Sequence, residues 1–321
     1  MSKKLLLSGL ALSISMISSA ASAAWPEKPI TLIVPWGAGG GTDTTARIVG
    51  KALSEELGVP VNVVNRTGGQ GVIGHSAIAN AKPDGYTIGM ITAEITMMHW
   101  TGLTELTYKN YTPLGKFAGV VGGIQVKKGS KFKDTSQLLD FIKSNPGKLK
   151  ASGGGYGSVW QLNMAGFLNS AGLKPDAVKW VPSEGAASAL QELVAGGVDF
   201  TSTSINESDS MIQAGEVEPL VVMSPERSEY YPDVPTIKEA AQISWNSGSW
   251  NGLAGPAGLP KEVTDKLLPL VKKIQNSKEI HSFANKRRLN IFPVSGQNWA
   301  KELEAVDKAM GTTMKVAGIV K

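Results

Sequence analysis

Beyond its first two dozen residues, this chain carries apolar positions in two alternating periods. Ile30-Thr31-Leu32-Ile33-Val34 is an apolar run of strand length, ended by Pro35-Trp36 and the glycine-rich stretch Gly37-Ala38-Gly39-Gly40-Gly41. From Thr42 or Asp43 the period lengthens. Ala46, Val49, Leu53 and Leu57 recur at helical spacing, Gly58 suits a left-handed C-cap, and Pro60 follows. A second strand is predicted over 61–64, then the loop Asn65-Arg66-Thr67-Gly68-Gly69-Gln70-Gly71, a short helix over 72–79, the turn Pro83-Asp84-Gly85 and a third strand over 86–91. Strands separated by helices predict a parallel α/β sheet.

Near Gly122-Gly123 the pattern restarts. A strand over 124–126 and a helix over 135–143 lead to residues 150–152 and a second glycine cluster, Gly153-Gly154-Gly155-Tyr156-Gly157. A helix follows over 158–171, closed by Gly172. Next come a strand over 178–181, the loop Pro182-Ser183-Glu184-Gly185, a helix to residue 195, a strand over 199–203, a helix over 208–214 and a strand over 220–223. Residues 247–260 read as turn-rich, and amphipathic helices are predicted over 261–274, 278–286 and 297–316. Strand, glycine loop and helix start thus occur twice, about 115 residues apart. That repetition predicts two lobes, each offering a helix end to one cleft.

The N-terminus bears on compartment. Lys3 and Lys4 precede an apolar run from Leu5 to about Ala20, and Ala21-Ser22-Ala23 supplies small residues for cleavage. The run falls short of the ~20 predominantly apolar residues of a membrane span, so an exported chain cleaved after Ala23 is expected rather than an anchored one. Residues 1–23 are then a signal peptide, and the mature protein is expected in the periplasm, without stable membrane insertion. The formal charge of +5 falls to +3 without Lys3 and Lys4, and the basic residues are scattered. A nucleic-acid binder would concentrate them on one face. With no cysteine there is neither a disulfide framework nor a thiolate metal site.

The two glycine loops are the candidate chemistry. First-turn amides of a helix lack intrahelical acceptors and sit at the positive end of its dipole, so a carboxylate or phosphate finds donors there. Glycine lets backbone approach the ligand closely. Ser158-Val159-Trp160-Gln161 also has the form of a capping box, in which Gln161 bonds back to the Ser158 amide, so these two residues read equally as helix caps or ligand contacts. Asp43 reads either as a helix acid complementing the dipole or as a partner for a ligand amine, hydroxyl or backbone amide. Trp36 reads as a stacking platform or as core. Rival chemistries are poorly supported. Gly37-Ala38-Gly39-Gly40-Gly41-Thr42 lacks the third glycine of a dinucleotide fingerprint, and there is no nucleophile elbow or GK[ST] phosphate loop. His75, His99 and His281 lie far apart, so no zinc site, metal or cofactor is expected.

Val34-Pro35-Trp36-Gly37-Ala38-Gly39-Gly40-Gly41-Thr42-Asp43-Thr44-Thr45-Ala46-Arg47 resembles the first signature of the tripartite tricarboxylate transporter receptor family. Residues 65–71, Pro83-Asp84-Gly85-Tyr86-Thr87, Gly155-Tyr156-Gly157-Ser158, Gly196-Gly197-Val198-Asp199, Asp233-Val234-Pro235-Thr236 and Gly252-Leu253-Ala254-Gly255-Pro256 continue the likeness in order. The resemblance implies an α/β, two-lobe type II periplasmic binding protein fold with the ligand cleft between lobes. Lobe one would comprise 24–123 plus 225–321 and lobe two 124–224, with crossings near 122–124 and 223–225. It implies a monomeric receptor, not an enzyme, that binds a di- or tricarboxylate through loop amides and delivers it to inner-membrane permease subunits. By position it carries binding roles to Ala38, Gly39, Thr42, Asp43, Tyr156, Gly157 and Ser158. Trp36, Gly40, Gln161, Ser183, Gly185 and Thr203 complete the candidate set. Many members have histidine where this chain has Gln161, which alters any side-chain contact there. The alternatives are a periplasmic α/β enzyme, for which no convincing catalytic set exists, and a sensory receptor for a small anion.

Overall fold

The computed structural model describes residues 25–291, 293–316 and 319–320; the expected leader lies outside them. Strand β1 (Ile30–Val34) runs into the first glycine loop and helix α1 (Gly41–Leu57), then β2 (Val61–Asn65), α2 (Val72–Ala79), β3 (Thr87–Thr92) and the long β4 (Tyr111–Val121). The second unit holds β5 (Gly123–Lys127), α3 (Thr135–Ser144), β6 (Lys150–Ser152), α4 (Val159–Ser170), β7 (Lys179–Trp180), α5 (Ala186–Ala195), β8 (Phe200–Thr201), α6 (Asp209–Gln213), β9 (Val217–Val222) and α7 (Ile237–Ala241). The chain closes with β10 (Gly248–Pro256), α8 (Lys261–Gln275), α9 (Lys278–Arg287), β11 (Asn290–Ile291) and α10 (Gly296–Val316).

Two sheets result. The first has the order β11-β4-β10-β3-β1-β2, with β2, β1 and β3 parallel and β10 antiparallel to both β3 and β4. The second has the order β7-β6-β8-β5-β9. Each has its own core. Leu32, Val34, Ile88 and Leu253 of the sheet pack with Val49 and Leu53 of α1 and Leu267 and Val271 of α8, whereas Ile124, Val126, Phe167, Phe200 and Val221 pack in the second unit. Each such buried side chain contributes roughly 1.5–3 kcal/mol relative to exposure.

The segment read as turn-rich is instead β10, a central nine-residue strand. Its glycines mark close approaches rather than turns. A methyl group at Gly252 would lie 2.4 Å from the Trp299 ring and 2.7 Å from the Gly115 carbonyl, and one at Gly248 would lie 2.3 Å from the Val120 carbonyl.

The chain leaves the first sheet at Gly122. Its return was expected at 223–225, but residues 224–246 stay with the second sheet. Val222 pairs with Thr236, Ile237 and Ile243 enter the second core, and the Trp245 ring packs against Gly166 of α4. The return therefore falls at Ser247, where three hydrogen bonds tie the strands together: Gly122 N–H to Ser247 O (2.7 Å), Met223 N–H to Gly122 O (2.7 Å) and Ser247 N–H to Met223 O (3.0 Å). Helix α10 packs along β4, and Met310 and Met314 near its end join Val159, Leu162 and Ala165 of α4 in one apolar cluster.

Candidate functional site

Loop one is held by its own side chains. Gly39 adopts φ +82°, Gly40 is the extended N-cap of α1, and no side chain caps the helix there. The Gly39 amide donates to Asp43 Oδ2 at 2.8 Å. Asp43 is buried, and it also accepts a two-point contact from Arg47 (2.9 and 3.0 Å) and a bond from Asn65 Nδ2 (2.9 Å), which in addition reaches the Trp36 carbonyl. Burial alone would raise the carboxyl's pKa; the Arg47 hydrogen bond, then the Gly39 and Asn65 bonds, outweigh it and hold the group below the ordinary carboxylate range. Asp43 is thus a clamp for the loop, with its oxygens occupied, not a free ligand partner. Within the loop, Ala38, Gly39 and Gly40 are exposed and Thr42 is half-buried. The amides of Gly41, Thr42 and Asp43 open α1 and have no acceptor among the described residues.

Trp36 does not stand free as a platform. Its Nε1–H donates to Thr92 Oγ1 at 3.2 Å, and the ring packs on Gly71, where a methyl group would lie 3.1 Å away. Behind it, the Thr92 amide donates to His75 Nε2, leaving His75 Nδ1–H to donate to the Gly71 carbonyl at 2.8 Å. Burial pushes His75 down to about 4, so the ring is neutral and holds this one tautomer.

Loop two repeats the design. Gly157 has φ +75°, Ser158 is the extended N-cap of α4, and its hydroxyl accepts from the Gln161 amide. Gln161 Oε1 accepts from the Gly157 amide at 2.6 Å, one residue earlier than the capping box predicted. The amides of Val159 and Trp160 are unused among the described residues. Tyr156 is exposed. Beside this loop, the Ser183 amide donates to the Gly154 carbonyl at 3.1 Å, the Ser183 hydroxyl donates to Gly185 O, and Gly185 is the N-cap of α5. Thr203 lies beside loop two, its Cγ2 3.4 Å from where a methyl group on Gly153 would stand, but its hydroxyl is engaged elsewhere. It is fully buried in the second lobe, its hydroxyl donates to Gln125 Oε1, and its carbonyl accepts from Gly123 and Gln125.

The lobes meet around these loops. A methyl group on Gly155 would lie 3.0 Å from Cγ of Gln70, and one on Gly157 would lie 3.5 Å from Thr101 and 3.6 Å from Leu103. Two acids were missed by sequence reasoning. Glu94 is buried, accepts from Thr92 Oγ1 at 2.6 Å, and has its pKa raised by burial. Glu207 accepts from the Ser204 hydroxyl at 2.8 Å; desolvation, with a smaller contribution from the Glu94 charge, raises it to about 7. Neither lies in a motif, and only the folded chain brings them together. Among the described residues no cluster of His, Asp or Glu could hold a metal ion, and no helix is long and apolar enough to cross a membrane.

The family model described as tripartite tricarboxylate transporter family receptor matches residues 45–318. A Pseudomonas sp. (strain P51) protein, named UPF0065 protein in tcbD-tcbE intergenic region, is 32% identical over 276 residues, which span 84% of this chain and 81% of that protein. The structure of R. palustris Rpa4515 with adipate is 27% identical with a TM-score of 0.85, covering 92% of this chain and 99% of its own. MatC from Rhodopseudomonas palustris with bound malate is 25% identical with a TM-score of 0.80, covering 91% and 100%. The two-sheet α/β architecture is that of periplasmic binding proteins.

Proposed function

Because this chain belongs to the tripartite tricarboxylate transporter receptor family, we propose that it captures a small di- or tricarboxylate between its lobes and delivers it to the inner-membrane permease subunits of such a transporter. The family and its structural neighbours are solute-binding receptors, not enzymes. One observation supports the ligand class above others. Helices α1 and α4, one per lobe, open with first-turn amides that have no acceptor among the described residues, behind loops already fixed by Asp43 and Gln161. Such amides bind an anion without a lysine or arginine partner. Relatives solved with adipate and malate are in keeping with that chemistry.

The working compartment is the periplasm, after removal of residues 1–23; N-terminal sequencing of the periplasmic protein should read Ala24-Trp25-Pro26. A thermal-shift panel of citrate, malate, adipate, acidic amino acids and aromatic acids tests the ligand class. A true ligand at about 100 times its Kd should stabilise the native state by about 2.7 kcal/mol. It should also compact the protein in small-angle scattering, since contacts with both loops exist together only when the lobes are closed. A panel in which no carboxylate shifts the melting curve would remove this reading.

A further inference from the structure

Gln70 combines three features that carboxylate capture by backbone amides leaves unexplained. It is a non-glycine residue in the left-handed region (φ 56°, ψ 40°), set among Gly68, Gly69 and Gly71, which all have positive φ. Its side chain reaches the opposite lobe and lies over Gly155, with Cγ, Cδ and Oε1 at 3.0, 3.2 and 3.4 Å from where a Cβ there would stand. Its carboxamide oxygen is buried without a hydrogen-bond partner among the described residues. Backbone strain of this kind persists where surroundings enforce it, and it gathers at functional sites. A buried polar atom left without a partner calls for a specific explanation. The position supplies one. The 68–71 turn is wedged between the loops, with Trp36 of loop one on Gly71 and Gly155 of loop two under Gln70.

We propose that Gln70 is a specificity-determining residue of the cleft, whose carboxamide oxygen takes a hydrogen-bond donor carried by the captured carboxylate, so that hydroxycarboxylates are preferred over their unsubstituted counterparts. This rests on the receptor reading above. The loop amides are all donors and select for a carboxylate of any kind. An acceptor is the group that separates carboxylates bearing a hydroxyl from those that do not, because a buried acceptor left unpaired penalises the ligand lacking the donor. Asn65 and Gln161, the other carboxamides near the loops, are bonded to loop atoms and hold the loops in place.

Succinate and malate share one carbon skeleton and differ by a single hydroxyl, so they serve as the matched probes for calorimetry. The unaltered chain should bind malate at least tenfold more tightly than succinate. Gln70→Gly should bring the two within about threefold and raise the melting temperature, because glycine occupies φ > 0 freely. Gln70→Glu places a carboxylate against the anion and should weaken both ligands. Higher stability with lower selectivity is a combination that damage to the fold would not produce. Equal binding of succinate and malate by the unaltered chain overturns the inference, as does an unchanged preference in Gln70→Gly. Binding of a carboxylate without a hydroxyl, such as adipate, but neither probe overturns the hydroxycarboxylate assignment; binding of citrate alone moves the same comparison to citrate and tricarballylate, where equal affinity overturns it. Failure to bind any carboxylate sinks the receptor reading and this inference with it.

Discussion

The amide of Gly157 donates to Oε1 of Gln161 at 2.6 Å, and the same contact is built in the other lobe, where the Gly39 amide donates to Asp43 Oδ2 at 2.8 Å. In each case a left-handed glycine precedes an extended N-cap with φ −71°, and the acceptor is the third residue of the helix. The side chain turns back over the loop and takes the amide of its left-handed glycine, while the amides of Gly41, Thr42 and Asp43 in one lobe and of Val159 and Trp160 in the other have no acceptor among the described residues. Both loops are therefore set before any ligand arrives, which lowers the ordering cost of binding.

Gly39→Val and Gly157→Val test that arrangement. A valine at φ +82° or +75° is strained even where space is open, as it is at Gly39, so the loop must give way. Each variant should lose more than tenfold in affinity, or about 1.4 kcal/mol, by calorimetry, with folding checked by circular dichroism. Lys127→Ala, at an exposed position on β5, should bind as the unaltered protein does, since a solvated charge is screened. Normal binding by both glycine variants would show that the loops do not hold the ligand.

Asp43→Asn probes the clamp in loop one. The change exchanges a buried carboxylate in hydrogen bonds with Arg47, Gly39 and Asn65 for a neutral amide. Loss of charge-assisted bonds should cost about 2 kcal/mol at neutral pH. Because the folded pKa is depressed, the stabilisation is fully present above the unfolded value of 3.8 and disappears as pH falls through the lower folded value. Urea titrations should therefore show a constant gap between the two proteins from pH 7 down to about 5, closing only in strong acid. A gap that widened in acid would contradict this account of Asp43.

Much of this site could be read in the sequence because the signals are local. The change from strand to helical period after Val34 and the glycine runs before α1 and α4 are each contained within a few residues. What failed depended on distance. Thr203 follows a strand of the second lobe, as a ligand contact would, yet Gln125 on a neighbouring strand draws its hydroxyl inward. Gly248, Gly252 and Gly255 resemble turn residues until Val120, Trp299 and Leu259 are brought against them. The return crossing moved from 223–225 to Ser247 because Ile237 and Ile243 find their partners in the second core. Gln70 could have been suspected, since a bulky residue within Gly-Gly-Gln-Gly is locally costly, but its approach to Gly155 belongs to the fold alone.

Glu207 should make stability fall as pH rises from about 4.5 to 7. Part of the residue is solvent-exposed, yet desolvation of the carboxyl end, and then the Glu94 charge, raise its pKa from 4.5 to about 7 despite the bonds from Ser204. A carboxyl with a raised folded pKa is bound to its proton more tightly in the native state. Between about pH 4.5 and 7 the unfolded chain is ionised while the folded one is not, so stability declines as pH rises across that window. Glu207→Gln removes the penalty. The variant should melt above the unaltered protein at pH 8 and match it near pH 4, by calorimetry at both values. An equal difference at the two pH values would mean that Glu207 does not titrate in this range.

Arg288 should govern how firmly the lobes are held together. It follows α9 with φ 54°, and its guanidinium pairs with Asp209 Oδ1 at 2.8 Å while lying 4.9 Å from the Tyr231 ring. The Tyr231 hydroxyl donates to the same Asp209 oxygen at 2.6 Å, Tyr230 OH donates to Asn285 Oδ1 at 3.1 Å, and Asn206 Nδ2 donates to the Arg288 carbonyl. Asn285 and Arg288 belong to the first lobe and residues 206–231 to the second, so the group spans both. Asn206 also sits on the turn that carries Glu207. Arg288→Gly removes the side chain and relaxes the left-handed backbone at once, so any loosening it causes comes from the lost contacts. A part-buried ion pair of this kind contributes about 1 kcal/mol, enough to change a closed-to-open ratio about fivefold. The chain has no cysteine, so Lys82→Cys and Lys148→Cys, both at exposed positions on opposite lobes, take spin labels cleanly. Arg288→Gly should broaden the measured interlobe distance distribution and speed ligand dissociation, while first-turn amides untouched by the change keep the association rate near its normal value. An unaltered distribution together with an unaltered dissociation rate would leave Arg288 no part in holding the lobes.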